Sequence, residues 1–171
     1  MDDTLLKKIK NIKLIITDID GVWTNSKMYY TENGLFMKSF STYDGMATHL
    51  LNKYNFIIAM ITSEYEKLDI LYTRVKKLKI KEVYTNEHEK LNRVKYLMKK
   101  YDLSPNNIAY IGDDLNDLES LKYVGLSCCP NSAPILEYYT PDYITQRIGG
   151  DGAFRDLADL ILKGNNIKPN Y

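Results

Sequence analysis

The chain contains only two cysteines, Cys128 and Cys129, and they are adjacent. Neighbouring cysteines cannot build a disulfide framework, so they are expected to be small buried side chains closing a strand in a reducing compartment. Histidine is equally scarce, with His49 and His88 alone, and both are expected to pack or sit at the surface. An excess of one charge is also missing. Lys and Arg number 23 against 22 for Asp and Glu, which leaves neither a basic surplus for nucleic acid nor an acidic tail. The lysines (Lys76, Lys77, Lys79, Lys81, Lys95, Lys99, Lys100) are scattered along expected helices, as on solvated faces. No apolar run approaches the ~20 residues that span a bilayer, and Met1-Asp2-Asp3 lacks the apolar core of a signal peptide. The expectation is a cytoplasmic protein with no membrane or nucleic-acid partner. At 171 residues it suits a single domain, 1–171, with a real core. Tyrosine is plentiful at fifteen, which points to packing and interfaces and to nothing narrower.

One stretch organises the rest: Lys13-Leu-Ile-Ile-Thr-Asp18-Ile-Asp20-Gly21-Val-Trp-Thr24. Leu14 to Thr17 read as a strand buried on both faces. Residues i and i+2 of a strand share a side, so Asp18 and Asp20 are expected to face one point. Gly21 lets the chain turn away. Two carboxylates this close repel unless a cation or a shared proton intervenes. The alternative is a pair of solvated loop acids.

Along the chain, residues 1–12 suit a short leading helix. Met28–Thr31 and Leu35–Phe40 flank Glu32-Asn33-Gly34, a strong hairpin signal, so a projecting hairpin is expected within about 24–40. Helical spacing covers 43–53, 66–78 (Leu68, Leu71, Val75, Leu78), 89–101 and 153–162. Buried strands are expected at 56–61 and 107–111, with shorter ones at 82–84, 125–128 and 142–144. A glycine-rich loop, Gly149-Gly150-Asp151-Gly152, precedes the terminal helix and suits turn formation, a subunit contact or a phosphate cradle. The polar tail 164–171 is expected to be mobile. Strands alternating with helices imply a doubly wound, Rossmann-like parallel sheet with helices on both faces.

Three buried strands end in polar sets: Asp18/Asp20, then Thr62-Ser63-Glu64, then Gly112-Asp113-Asp114-Leu115-Asn116-Asp117. Ligands bind outside the carboxyl ends of the strands in such sheets. Converging carboxylates with no His or Cys ask for a hard divalent cation, Mg²⁺ rather than zinc. Asp can attack phosphorus, a metal and a lysine can offset the charge on the transferring group, and a second acid can shuttle the proton.

In this order the residues resemble the haloacid-dehalogenase-like phosphatase superfamily. Its DxDGVxT motif stands as Asp18 to Thr24, its second-motif hydroxyl as Thr62, its lysine as Lys90, and its GDDxxD as Gly112 to Asp117. The resemblance implies Asp18 as nucleophile and Asp20 as general acid/base. It implies Mg²⁺ held by Asp18, the Asp20 carbonyl and Asp113, phosphoryl binding by Thr62 and Lys90, and a supporting role for Asp114 and Asp117. No cap domain fits between the motifs. The chain therefore resembles the capless branch of 3-deoxy-octulosonate 8-phosphate and acylneuraminate 9-phosphate phosphatases. There the hairpin helps build a homotetramer, and a neighbouring subunit closes each active site. The branch's Arg-x-GGxGAxRE stretch stands as Arg147 to Asp156, with Asp for the last Glu. Tyr43-Asp44-Gly45 matches its RDG with tyrosine for arginine.

Octulosonate phosphatases carry Gly-Arg where this chain has Ser63-Glu64. An Arg would pair with a substrate carboxylate, whereas Glu64 would accept hydrogen bonds from hydroxyl or amine groups. Ser-Glu resembles the nine-carbon branch, which makes Ser63 and Glu64 the expected substrate selectors. A nonulosonate 9-phosphate (N-acylneuraminate or deaminated neuraminate, as in sialic acid biosynthesis) is the expected substrate, with the octulosonate as alternative. Plainer roles remain for several residues. Asp114 and Asp117 suit a helix N-terminus, Glu64 a first helical turn, and Thr62 or Ser63 an N-cap; Lys90 could be a surface lysine. A receiver-like phospho-accepting domain uses similar residue types, but places its phosphorylated Asp on a middle strand. A catalytically silent relative is opposed by the intact Asp18 and Asp20.

Overall fold

The computed structural model describes residues 2–170. Helix α1 (Asp3–Lys10) opens on Asp2, whose carboxylate accepts from the Thr4 N–H, and leads into β1 (Leu14–Thr17). A hairpin follows, β2 (Tyr29–Thr31) and β3 (Gly34–Met37), then α2 (Thr42–Lys53), β4 (Ile57–Ile61), α3 (Asp69–Leu78) and β5 (Glu82–Tyr84). After these come α4 (Lys90–Lys100), β6 (Ile108–Ile111), α5 (Leu118–Tyr123), β7 (Leu126–Cys129), β8 (Tyr143–Ile144) and α6 (Ala153–Gly164). The six strands outside the hairpin form one parallel sheet in the order β5-β4-β1-β6-β7-β8.

Strand alternation divides the core in two. Ile15, Ile58, Met60, Ala109, Ile111, Leu126 and Cys128 face one side, under residues of α1, α2, α3 and α6. Leu14, Ile16, Ala59, Ile61, Ile108, Tyr110 and Cys129 face the other, under α4 and α5. This is the expected doubly wound sheet with helices on both faces. The two cysteines fall on opposite faces, and burial pushes the Cys129 thiol up to about 12. The chain runs β1, β4, β5 to one side and then crosses back to lay β6 on the other flank of β1. That reversal opens a crevice at the carboxyl ends of β1 and β6, and no cap domain covers it.

The structure shifts some sequence boundaries. α3 starts at Asp69 rather than Glu66, because Lys67 sits in the left-handed region at φ 47° and breaks the helical run. Thr62 and Ser63 therefore cap no helix. α6 runs through Gly164, so the tail begins at Asn165. From there Ile167 packs against the core, and the Lys53 ammonium donates to the Asn170 carbonyl and side chain. In the hairpin only Gly34 takes positive φ, at 97°, while Asn33 does not. The turn thus fits a left-handed glycine after Glu32-Asn33, not the Asn-Gly type I′ turn. The hairpin's Tyr30 and Phe36 are 61% and 67% exposed. No helix among the described residues is long and apolar enough to cross a membrane.

Candidate active site

The carboxyl ends of β1, β4 and β6 border an open cavity of about 550 Å³. Its walls include Asp18, Asp20, Thr62, Ser63, Glu64, Asp113, Asp114 and Asn116. All three polar sets expected at strand ends thus meet in one place.

Asp18 lies at the floor, one residue past β1, with its N–H donating to the Ile111 carbonyl of β6. The chain then coils tightly, and the amides of Val22, Trp23 and Thr24 all point to the Ile19 carbonyl. Trp23 anchors this coil. Its indole N–H donates to Thr17 Oγ1 at 3.0 Å, and its ring stacks on Phe154 of α6 at 4.6 Å. Asp18 and Asp20 both face the cavity, as the i, i+2 spacing suggested, but because the strand ends at Thr17 they reach it from the coil rather than by strand alternation. The Asp20 carboxylate turns to Thr24 Oγ1, 3.1 Å from Oδ1, and to Lys38 Nζ, 2.7 Å from Oδ2.

The buried carboxylate cluster is Asp18, Asp113 and Asp117, each offering an oxygen within 4.8 Å of the others. The cluster joins Asp117 to the expected Asp18 and Asp113; the expected contribution of Asp20 is its backbone carbonyl, not its side chain. The Asp113 carboxylate rests on Gly21, where any Cβ would come 1.8 Å from Oδ2. That contact and a φ of 91° both demand glycine. Asp117 accepts from the Asp113 amide at 3.0 Å and the Asp114 amide at 3.3 Å, and its other oxygen from the Tyr110 hydroxyl at 2.6 Å. Lys90, at the first position of α4, is fully buried. Its Nζ lies 2.8 Å from both Asp18 Oδ2 and Asp117 Oδ1. It is no surface lysine.

The electrostatics follow from burial and crowding. Asp18 is pushed well above the ordinary carboxylate value by burial and then by Asp117, against the pull of Lys90. Asp113 is pushed up to about 7 by burial and then by Asp117. Burial works to lower Lys90, but Asp18 and Asp117 overcome it and hold the ammonium above the usual lysine value. Three carboxylates face one ammonium, so ionising all three leaves two negative charges uncompensated. An all-oxygen donor set with that deficit fits a hard dication.

The remaining residues divide. The Thr62 hydroxyl reaches the cavity and accepts from the Glu64 amide at 3.1 Å. Ser63 Oγ donates to the Glu87 carbonyl at 3.0 Å and accepts from Asn116 at 3.3 Å. Glu64 Oε1 takes the Tyr65 and Glu66 amides, while Oε2 lies 3.7 Å from Lys38. Asp114 is exposed at the mouth, where it caps a short 3-10 turn through the Leu115 amide. Gly149 and Gly150 cradle no open space. A Cβ on Gly149 would fall 1.8 Å from the Gly21 carbonyl oxygen, and the Gly150 amide donates to the Val22 carbonyl at 2.9 Å. The glycine-rich loop is seated on the backbone of the Asp18–Thr24 coil. The sequence reading missed Lys38, because a lysine after a hairpin strand carries no local sign of an 18-residue reach.

The sequence profile of the haloacid dehalogenase-like hydrolases matches residues 4–145. The chain belongs to this family. Among curated haloacid dehalogenase-like hydrolases, it is 35% identical over 158 residues to the 3-deoxy-D-manno-octulosonate 8-phosphate phosphatase of Salmonella typhi. The match covers 92% of this chain and 83% of that one. Two solved structures share the fold throughout. The 3-deoxy-D-manno-octulosonate 8-phosphate phosphatase of Yersinia pestis superposes with a TM-score of 0.91 at 33% identity, covering 97% of this chain and 89% of its own. That of Moraxella catarrhalis, in complex with a magnesium ion, a phosphate ion and a KDO molecule, gives 0.91 at 31% identity, covering 97% and 94%. These relatives are phosphatases, one of them in complex with magnesium, in line with the class and metal expected from the motifs.

Proposed function

We propose that this haloacid dehalogenase-like hydrolase is a Mg²⁺-dependent phosphomonoesterase that takes the phosphoryl group of a sugar-acid phosphate onto Asp18. The observation that carries the reading is the cavity floor, where Asp18 is gripped by buried Lys90 beside Asp113 and Asp117. The cofactor is Mg²⁺, for which Asp18, Asp113 and the Asp20 carbonyl are the proposed holders, with Asp117 and Asp114 in support. When bound it supplies positive charge to the phosphoryl oxygens and keeps the neighbouring carboxylates ionised.

An Asp18 oxygen attacks phosphorus, and the bond to the sugar oxygen breaks. Asp20 gives that oxygen its proton. Lys90 and the Thr62 hydroxyl hold the phosphoryl oxygens as charge builds. A water then attacks the phosphorus of the aspartyl-phosphate and gives its proton to Asp20, and phosphate leaves Asp18.

The relatives favour 3-deoxy-octulosonate 8-phosphate over the nine-carbon substrate read from Ser63-Glu64, so the eight-carbon acid is the first reading. The nonulosonate 9-phosphate remains a second, because Glu64 lines the cavity. Phosphate release from both, with and without chelator, tests the proposal. The expected result is chelator-sensitive turnover with the octulosonate preferred. No turnover of any sugar phosphate in Mg²⁺ would overturn the activity, and a nonulosonate preference reversed by Glu64→Arg would establish the second reading. The exposed Tyr30 and Phe36 support a homotetramer built through the hairpins, with each site completed by a neighbour. Light scattering on Phe36→Asp checks this, and an unchanged mass would refute it. Free, buried Cys128 and Cys129 support a cytoplasmic setting.

A further inference from the structure

Lys38 stands just past β3, at the root of the hairpin, and its side chain is only 5% exposed. Its stem borders a narrow pocket lined by Leu35, Phe40 and Leu71. A buried ammonium is costly unless paired. Both of its partners line the active-site cavity: Asp20 Oδ2 at 2.7 Å and Glu64 Oε2 at 3.7 Å.

The second oxygen of Asp20 accepts from Thr24 Oγ1 at 3.1 Å. The carboxylate is therefore held at both ends, by the coil after β1 and by the hairpin. Remove the ammonium, and one end of Asp20 is released and its tie to Glu64 is lost. A proton donor works only when it is oriented on the leaving oxygen, and a displacement of about 1 Å lowers rates by up to about a hundredfold.

We propose that Lys38 is a positioning residue: from the hairpin it fixes the Asp20 carboxylate and ties it to Glu64 on the cavity wall. The inference rests on Asp20 as the acid/base, as proposed above. It makes the seating of the hairpin a determinant of proton transfer. A substrate group that engages Glu64 also reaches Asp20, through the same ammonium.

The test separates leaving groups. With enzyme in excess and Mg²⁺ present, release of the alcohol in a single turnover is timed for 3-deoxy-octulosonate 8-phosphate and for p-nitrophenyl phosphate. The sugar oxygen needs a proton as it leaves, whereas p-nitrophenolate does not. In Lys38→Met, sugar release is expected to slow about tenfold more than p-nitrophenol release, and Lys38→Arg is expected to recover most of the difference. The ratio is taken within one variant, so a partly unfolded sample cannot imitate it. Should the Met variant not fold, Lys38→Gln is read in the same way. Equal slowing of both substrates, or wild-type rates on both, overturns the role of Lys38. Asp20→Asn is the control and is expected to show the same selectivity, larger. Its absence there would instead remove the acid/base reading of Asp20.

Discussion

Replacing Lys90 with methionine sets stability, metal affinity and turnover against one another. The ammonium makes two charge-assisted contacts of 2.8 Å, to Asp18 and Asp117, with no solvent exposure. Each such hydrogen bond contributes about 1.5–3 kcal/mol, and breaking a buried pair from one side costs about 3–5 kcal/mol because the remaining charge has no partner. A domain has only about 5–15 kcal/mol in total. Lys90→Met should therefore lose about 3–5 kcal/mol in urea unfolding with chelator present. The same loss deepens the negative charge around Asp18, Asp113 and Asp117, so Mg²⁺ should bind more tightly by calorimetry. Turnover should nevertheless fall at least about a hundredfold, because a fixed cation is missing from the phosphoryl oxygens. In Lys90→Met with Asp117→Asn, part of the stability should return. Stability within about 0.5 kcal/mol of wild type, or Mg²⁺ affinity that falls with the lysine, would refute the reasoning.

Three further outcomes are expected. Asp113 holds its proton up to about pH 7 without metal and Asp18 is raised as well, so Mg²⁺ affinity should rise with pH through about 7, with protons released on binding in calorimetry; affinity flat between pH 5 and 8 would contradict this. Gly149→Ala brings a methyl group 1.8 Å from the Gly21 carbonyl, so phosphate release should drop about tenfold or more while far-UV circular dichroism is kept, and full activity would show that the loop does not support the coil. Buried Asp44 is raised to about 6 from 3.8, so the folded state binds its proton more tightly than the unfolded one; its share of the fall in stability between about pH 4 and 6, about 3 kcal/mol, should be missing in Asp44→Asn when the urea midpoints of variant and wild type are compared across that range, and parallel curves would contradict this.

The parts legible in the sequence were those set by local pattern. Leu14–Thr17, Phe56–Ile61 and Asn107–Ile111 read as buried strands because their apolar runs are short and unbroken, and their polar ends mark the cavity. Asp18, Asp113 and Thr62 could be found from that alone. What could not be read depended on direction. The i, i+2 rule puts Asp18 and Asp20 on one cavity, but the strand stops at Thr17, and nothing in the spacing announces that the coil after it pairs Asp20 with Lys38. Spacing gave α3 an extra turn, since nothing in Glu66-Lys67-Leu68 announces a left-handed Lys67. Lys90 looked like its many neighbours in sequence. Only the approach of α4 to Asp18 and Asp117 leaves its side chain with no exposure.

The seating of Gly149 and Gly150 on the coil after β1 bears on when the protein becomes an enzyme. A ribosome that has delivered the chain from Asp18 through Asp117 has made every residue assigned to the chemistry. The backbone that carries Asp18 and Asp20 still lacks its backing, and Trp23 still lacks Phe154. Activity should therefore arrive late in synthesis, with α6. It should also be among the first properties lost when a protease trims the chain back past residue 149.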